Sequence, residues 1–450
     1  MMVSHHPLTL EKISLQGHNF SMKARAVNFI STARLTLFLL FICTKALASS
    51  QLTVESTPFS FFETGDVNYF VRSTLQSRIE LNKHWIAHLG VSGSFADLEN
   101  SNSQRYFINP TGTRLIYRNS TVVFAMGFNS HDYTISQFMG PLDYVDQRNY
   151  WDPLHSERLA DFSLRTSFKT GKVRWRVTYI PYRLKPVYPG QDSYWLPRNL
   201  PASIQTTDQN VIFPENPTYG WKDTEVFSDS NKNNFAIIGE YENKSWLWRW
   251  GYYNGLDVAP NFHLELNLQN IDFNNFETIY PIFVIPVQNK IQQVGFGVRY
   301  ITPIKWRLFF ENTLSSGNPD DLVAEDYLYS TVFGLEWGIP FAGDILYGLF
   351  QGFYTVSSEE ENHLGVLPPL RKAAMAALLW KKPRYELSLA LIYSFSIDIA
   401  LTQFSSKLFI TDHLFAQANI NLFNGATPEL ISGIKSNDLI HAGVGYKVDF

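Results

Sequence analysis

Cysteine is all but absent, with Cys43 the single example in 450 residues. It falls within an N-terminal export segment, so disulfides have no part in holding the exported chain together. Long apolar runs are missing too. The best candidate, Leu35 to Ile42, is about 8 residues, against the roughly 20 that a membrane-spanning helix needs. Nor is there an excess of positive charge: 37 Lys and Arg stand against 41 Asp and Glu, a formal net of −4, which disfavours nucleic acid as a partner. Together these absences exclude a disulfide scaffold, a helical membrane protein and a nucleic-acid binder.

The N-terminal region carries an address. Lys23, Arg25 and Arg34 precede the apolar run, and Ala46-Leu47-Ala48 follows it with the small residues that signal peptidase requires. Residues 22–48 are therefore expected to be a cleaved signal peptide starting at Met22. Residues 1–21 read as an extension ahead of the true start, and residues 49–450 as one exported domain. A lipoprotein reading of Cys43 would want a small residue before it, where Ile42 stands.

What remains is rich in aromatics, which make up 15% of the chain, and in period-two alternation. Trp85, Ala87, Leu89, Val91 and Phe95 oppose His84, His88, Ser92 and Ser94. Tyr385, Leu387, Leu389, Leu391, Tyr393 and Phe395 oppose Arg384, Glu386, Ser388 and Ser394. One apolar and one polar face per strand, in an exported chain without a membrane helix, predicts a barrel with lipid outside and water within. Links between segments alternate as well. Short ones such as Asn82-Lys83, Asn119-Ser120, Thr170-Gly171 and Thr411-Asp412 take turns with long ones at 129–158, 184–233 and 255–289. The expected fold is thus all-β: a single antiparallel transmembrane β-barrel with short periplasmic turns and long extracellular loops. About 17 strands can be traced from residue 75 onward. Because bacterial single-chain barrels have even strand numbers, one more is expected within Phe59 to Val71, for about 18, with 16 as the alternative. Trp85, Trp175, Trp246, Trp306, Trp337 and Trp380 fall near the short turns on the apolar parity, as an inner aromatic girdle would. The alternating C-terminal stretch, with Tyr446, Val448 and Phe450 on its apolar face, is the expected signal for the barrel-assembly machinery.

A barrel of this size admits an aqueous channel. Parity turns Arg78, Arg114, Arg118, Arg165, Arg174, Arg176, Arg249, Arg299 and Arg307 inward, with the acids Glu80, Asp161, Glu240, Glu242, Glu311 and Glu336. Guanidinium and carboxylate groups facing lipid would be costly. Arg165, Arg174 and Arg176 form a cluster that either attracts anions or pairs with the acids in a ladder. The Pro- and aromatic-rich loop 184–233 is the expected constriction or mouth cap, and Glu359 to Glu361 is expected to project into water, with divalent-cation binding at the cell surface as the alternative. Two features of the 129–158 loop, His131-Asp132 and His155-Ser156-Glu157, have residue types used in hydrolysis but match no barrel-enzyme spacing. Asp143, Asp146, Asp152 and Asp161 lack the glycine-punctuated spacing of a calcium loop.

One stretch carries a resemblance. Met139-Gly140-Pro141-Leu142-Asp143-Tyr144-Val145-Asp146, followed by Tyr179-Ile180-Pro181-Tyr182-Arg183 and a Pro-rich run to Pro189, resembles a pattern in proteobacterial outer-membrane barrels. That group is similar in style to alginate-export porins and to barrels associated with hydrocarbon degradation. Gly140 stands where Asn is commoner. The resemblance implies a passive solute channel.

The functional expectation is a porin-like outer-membrane channel for a small anionic or organic solute, not an enzyme, with no cofactor or metal. Its expected partners are outer-membrane lipid and lipopolysaccharide, the assembly machinery and the solute, with oligomeric state open. A loop-plugged receptor or adhesin barrel competes with it, and more remotely an outer-membrane hydrolase.

Overall fold

A computed structural model gives the architecture. It describes residues 50–61, 67–97, 106–136, 140–143, 146, 148–149, 157–184, 203–205, 210–212, 218–221, 232–257, 261–266, 281–287, 290–317, 327–357, 371–396, 398–425 and 438–449. The chain forms a closed antiparallel barrel of 18 strands with no helix among the described residues. In wall order these are Ser50–Phe61, Val67–Glu80, Trp85–Asp97, an interrupted strand made of Tyr106–Asn109 and Arg114–Arg118, Val122–Asn129, Asp161–Thr170, Val173–Tyr182, Lys232–Glu242 and Trp246–Leu256. The wall continues through Lys290–Ile301, Arg307–Ser316, Leu328–Phe341, Asp344–Ser357, Lys372–Lys382, Tyr385–Ser394, Ile399–Phe409, Leu414–Gly425 and Leu439–Asp449. Closure comes from pairing of the first strand with the last, Gln51 opposite Asp449 and Val54 opposite Tyr446. Every wall strand among the described residues pairs on both sides, the interrupted one through Arg114–Arg118, and a wall without open edges is what lets a sheet sit in lipid.

The short turns are encoded locally by side chains that stand in for backbone acceptors. Asn82 Oδ1 accepts from the N–H groups of His84 and Trp85, Asn119 from Thr121 and Val122, and Asn243 from Ser245 and Trp246. Thr411 does the same with its hydroxyl for His413 and Leu414. Such Asx- and Thr-type turns satisfy donors that a tight reversal would orphan. Where no such side chain is present, the backbone itself bends: Ala342 and Gly343 both have positive φ, 47° and 84°, in the two-residue link before Asp344. Just beyond these turns the tryptophans pair across strands, Trp85 with Tyr117 at 5.1 Å, Trp246 with Tyr300 at 4.5 Å and Trp380 with Tyr385 at 5.3 Å between ring centroids.

Register sorts the two faces. Outward parity exposes Tyr179, Trp248, Val294, Leu308, Phe310, Phe333, Tyr354, Leu389, Leu391 and Val444, an apolar surface that only lipid suits. Inward parity carries the charges and their partners.

Two details differ from the sequence-based expectation. The additional strand is Ser50–Phe61, earlier than Phe59 to Val71, and the next strand begins already at Val67. Its outward set begins Leu52, Val54, Ser56, so a polar residue joins the apolar ones and the alternation is faint. The long links are also not structureless. Thr218–Trp221 pairs in parallel with Pro281–Val287, which pairs antiparallel with Asn261–Leu266, so the 184–233 and 255–289 links share a three-stranded sheet.

Candidate functional site

The register places every arginine of the sequence-based set on inward parity. His88, Arg114, Gly127 and Ser163 follow one another across neighbouring strands, as do Ala125, Arg165 and Thr178, then Lys169, Arg174, Glu240, Arg249, Gly297 and Glu311. Arg78 faces His88, Arg118 faces Val123, Arg299 faces Leu247 and Phe309, and Arg307 faces Glu336. The side chains are not equivalent in charge balance. Glu240 serves three guanidiniums: Arg249 at 2.7 Å, and Arg174 and Arg176 at 3.4 Å each. Arg78 pairs with Glu80, Arg299 with Glu242 and Arg307 with Glu336. Arg114 donates to the side-chain Oδ1 of Asn129 at 3.2 Å, and among the described residues no acid pairs with Arg118 or Arg165. The strands from Val67–Glu80 to Val173–Tyr182 thus form a wall where positive charge exceeds negative.

Against the next part of the wall lies a segment of the chain itself. Residues 131–136 and 140–143, which follow the Val122–Asn129 strand, lie inside the barrel against the inner faces of strands from Asp161–Thr170 to Arg307–Ser316. The Tyr133 hydroxyl meets Thr178 Oγ1 at 2.8 Å, and burial pushes its phenol up to about 12. It therefore stays neutral, and bonded, well beyond physiological pH. Leu142, wholly buried, packs with Tyr133, Ile180, Ala236, Ile238, Tyr253 and Ile291. Ile135 packs with Leu247 and Phe309. Room for these two side chains comes from inward glycines: a Cβ on Gly295 would lie 2.4 Å from Leu142, and one on Gly297 2.7 Å from Ile135.

Polar groups hold the tip. Glu311, fully buried, accepts from the Thr134 hydroxyl at 2.9 Å, the Ser136 N–H at 2.7 Å and the Ile135 N–H, while Arg249 Nη1 donates to the carbonyls of Tyr133 and Thr134 at 2.6 and 2.8 Å. The returning limb is a turn, with the Asp143 N–H donating to the Gly140 carbonyl at 2.9 Å, and Gln293 Nε2 reaching the Pro141 carbonyl at 3.3 Å. The lumen of this closed antiparallel β-barrel is thus occupied in part by a segment of its own chain.

The base of the segment is anchored by a second network at the barrel's long-loop end. His131 Nδ1 lies 2.8 Å from Asp146 Oδ1, its backbone N–H donates to the same carboxylate, and its Nε2 lies 3.3 Å from Ser163 Oγ. A Ser–His–Asp order of this kind has nucleophile geometry. All three residues are at most 1% exposed, however, and Ser163 Oγ also accepts from Asn129 Nδ2 at 3.0 Å. The arrangement reads as an anchor, with no path for a substrate carbonyl to the serine. Beside it, wholly buried Arg183 donates to Asp161 at 3.1 Å, to the Leu256 carbonyl at 3.2 Å and to the Tyr253 hydroxyl, and the Leu184 N–H donates to Asp161 at 2.7 Å. Arg158 binds Asp143 at 2.8 Å and lies 3.6 Å from Asp132.

Several sequence-based candidates find their place in these networks. His131 partners Asp146, not its neighbour Asp132. Asp143, Asp146 and Asp161 are each engaged by a different basic or imidazole group, and the described residues contain no cluster able to hold a metal. His155, Ser156, Asp152 and the Glu359 to Glu361 run lie outside the described residues, as do Phe450 and, within the 184–233 link chosen for the constriction, residues 185–202, 206–209, 213–217 and 222–231. The segment seen inside the barrel belongs to the 129–158 link. Its sequence signal was the Gly140-Pro141-Leu142-Asp143 motif, whose use as an inward turn only the tertiary contacts disclose. Tyr446 faces outward beside the His413 ring, with centroids 6.2 Å apart.

A scan against protein families matches none, and a search of curated proteins likewise finds no match. Solved structures similar in shape include Wzi of Escherichia coli, described as an outer-membrane carbohydrate-binding β-barrel involved in group 1 capsule assembly. It is 10% identical, with a TM-score of 0.48, over 93% of this chain and 87% of Wzi. OccAB2 of Acinetobacter baumannii is 9% identical with a TM-score of 0.49, covering 89% of this chain and 98% of its own. OccK11 of Pseudomonas aeruginosa is 8% identical with a TM-score of 0.48, covering 89% and 95%. None of them bears on the solute of this barrel.

Proposed function

We propose that the barrel is a passive outer-membrane channel for small anionic or organic solutes, driven by the solute's own gradient. The observation that carries this reading is the uneven inner wall: arginines accumulate on one side of the lumen, and Arg118 and Arg165 lack acid partners among the described residues. In a confined passage with low-dielectric walls such groups raise the local concentration of anions and repel cations. Arg174 and Arg176 are the weaker determinants, since they share Glu240 with Arg249.

Single-channel recording of the refolded chain in a salt gradient tests the reading. Discrete steps with an anion-selective reversal potential are expected, and Arg165→Glu with Arg118→Glu should bring the anion-to-cation permeability ratio below one while the barrel still folds. A conducting wild type with no anion preference would refute the charge argument.

A second reading has one observation in its favour. Val332, Phe353, Ala373, Met375 and Ile392 are on inward parity yet each is at most 9% exposed, so the opposite wall is covered over part of its height. A folded, heat-modifiable barrel that never conducts would favour this plugged, receptor-like state.

A further inference from the structure

Glu311 is a carboxylate on the inner wall of a water-filled type of barrel, and yet no water reaches it. A buried carboxylate is costly unless its lone pairs are filled. Here they are filled by one short stretch: the hydroxyl of Thr134 and the consecutive N–H groups of Ile135 and Ser136. Successive N–H groups converging on one point form a nest that favours an anion. The opposite polarity of the same stretch is met by Arg249, whose guanidinium takes the carbonyls of Tyr133 and Thr134. The two strands that flank Lys290–Ile301 therefore supply an anion for the donors and a cation for the acceptors. Gly140 completes the fit, because a Cβ there would lie 1.6 Å from Thr134 Oγ1 and 2.5 Å from Glu311 Oε2.

We propose that Glu311 is the positioning residue of the channel: its carboxylate fills the 134–136 nest, keeps residues 131–136 and 140–143 seated in the lumen and so sets the size limit for solutes, with Arg249 as the second jaw. The proposal rests on the channel reading given above. It goes beyond that reading by assigning the size limit to one carboxylate–backbone contact and not to the arginine wall.

The test empties the nest and refills it. Glu311→Ala removes the carboxylate and leaves a small void lined by three donors. In liposome-swelling assays with neutral sugars of increasing size, the variant is expected to admit sugars that wild type excludes, several-fold faster. Sodium acetate, replacing chloride at equal ionic strength, returns an anion to the nest and should restore the wild-type cut-off. Acetamide, of similar size and uncharged, should not. Glu311→Gln, which keeps the volume, provides a second variant should Glu311→Ala fail to insert, and is expected to widen the cut-off without acetate rescue. An unchanged cut-off in the inserted variant, or equal effects of acetate and acetamide on Glu311→Ala, would overturn the proposal. Should wild type pass neither ions nor sugars, the open-channel reading fails by itself. Permeation appearing in the variant would then still uphold the clamp, and continued silence would refute it.

Discussion

Gly140 shows how much one residue can depend on partners far away in the chain. In sequence it is merely a departure from a motif in which Asn is commoner. In the structure, its backbone passes so close to Thr134, Ser136 and Glu311 that any side chain would enter the nest. Overpacking of this kind typically costs about 1–3 kcal/mol, levied here on the seated segment and not on the barrel wall. Gly140→Ala is therefore expected to widen the sugar cut-off much as Glu311→Ala does, but without acetate rescue, since the carboxylate is still present. Retention of the wild-type cut-off would mean that the segment shifts cheaply. His131 teaches the same lesson. Its types of neighbour suggested chemistry, but which acid it meets depends on the fold of residues 131–146, and the acid it finds, Asp146, belongs to an anchor closed to solvent.

Strands were legible because lipid and lumen impose opposite demands at every second residue. Leu389 and Ser388 are adjacent in the middle of Tyr385–Ser394, and register turns Ser388 toward the lumen and leaves Leu389 45% exposed outward. Leu389→Arg places a guanidinium in hydrocarbon and should cost roughly 2–4 kcal/mol near the bilayer midplane. Ser388→Arg, one residue away, should cost far less. Denaturant titration of the two variants refolded into lipid checks this, and equal costs would overturn the face assignment. The same rule explains the one strand that was placed too late. Ser50–Phe61 carries Ser56 on the lipid parity beside Leu52 and Val54, so its alternation is weak, and its place in the wall is secured by the ladders it makes with Val67–Glu80 on one side and Leu439–Asp449 on the other.

At the scale of the whole molecule, those two ladders decide whether there is a barrel at all. Without residues 50–61, Val67–Glu80 and Leu439–Asp449 would each face lipid with an unpaired row of N–H and C=O groups, a cost of several kcal/mol per group that no bilayer can offset. A chain starting at residue 67 is therefore expected to lose the heat-modifiable, protease-resistant form on refolding, whereas substitutions in the 131–143 segment keep it. A truncated chain with normal heat-modifiability would show that the two flanking strands can close without Ser50–Phe61.

The sequence by itself determined the fold class of this protein: alternation with two solvents in view, turn residues at regular stations, and the wall arginines gathered on one parity. These are local quantities, readable within about ten residues, because each strand meets lipid and water independently of the others. The tertiary structure alone decided which link enters the lumen and what holds it there. Thr134 and Glu311 lie 177 positions apart, and Tyr133 and Arg249 116 apart. Such contacts exist only once closure of the wall has brought distant strands around a common interior, and no period or motif in the chain encodes a pairing at that range.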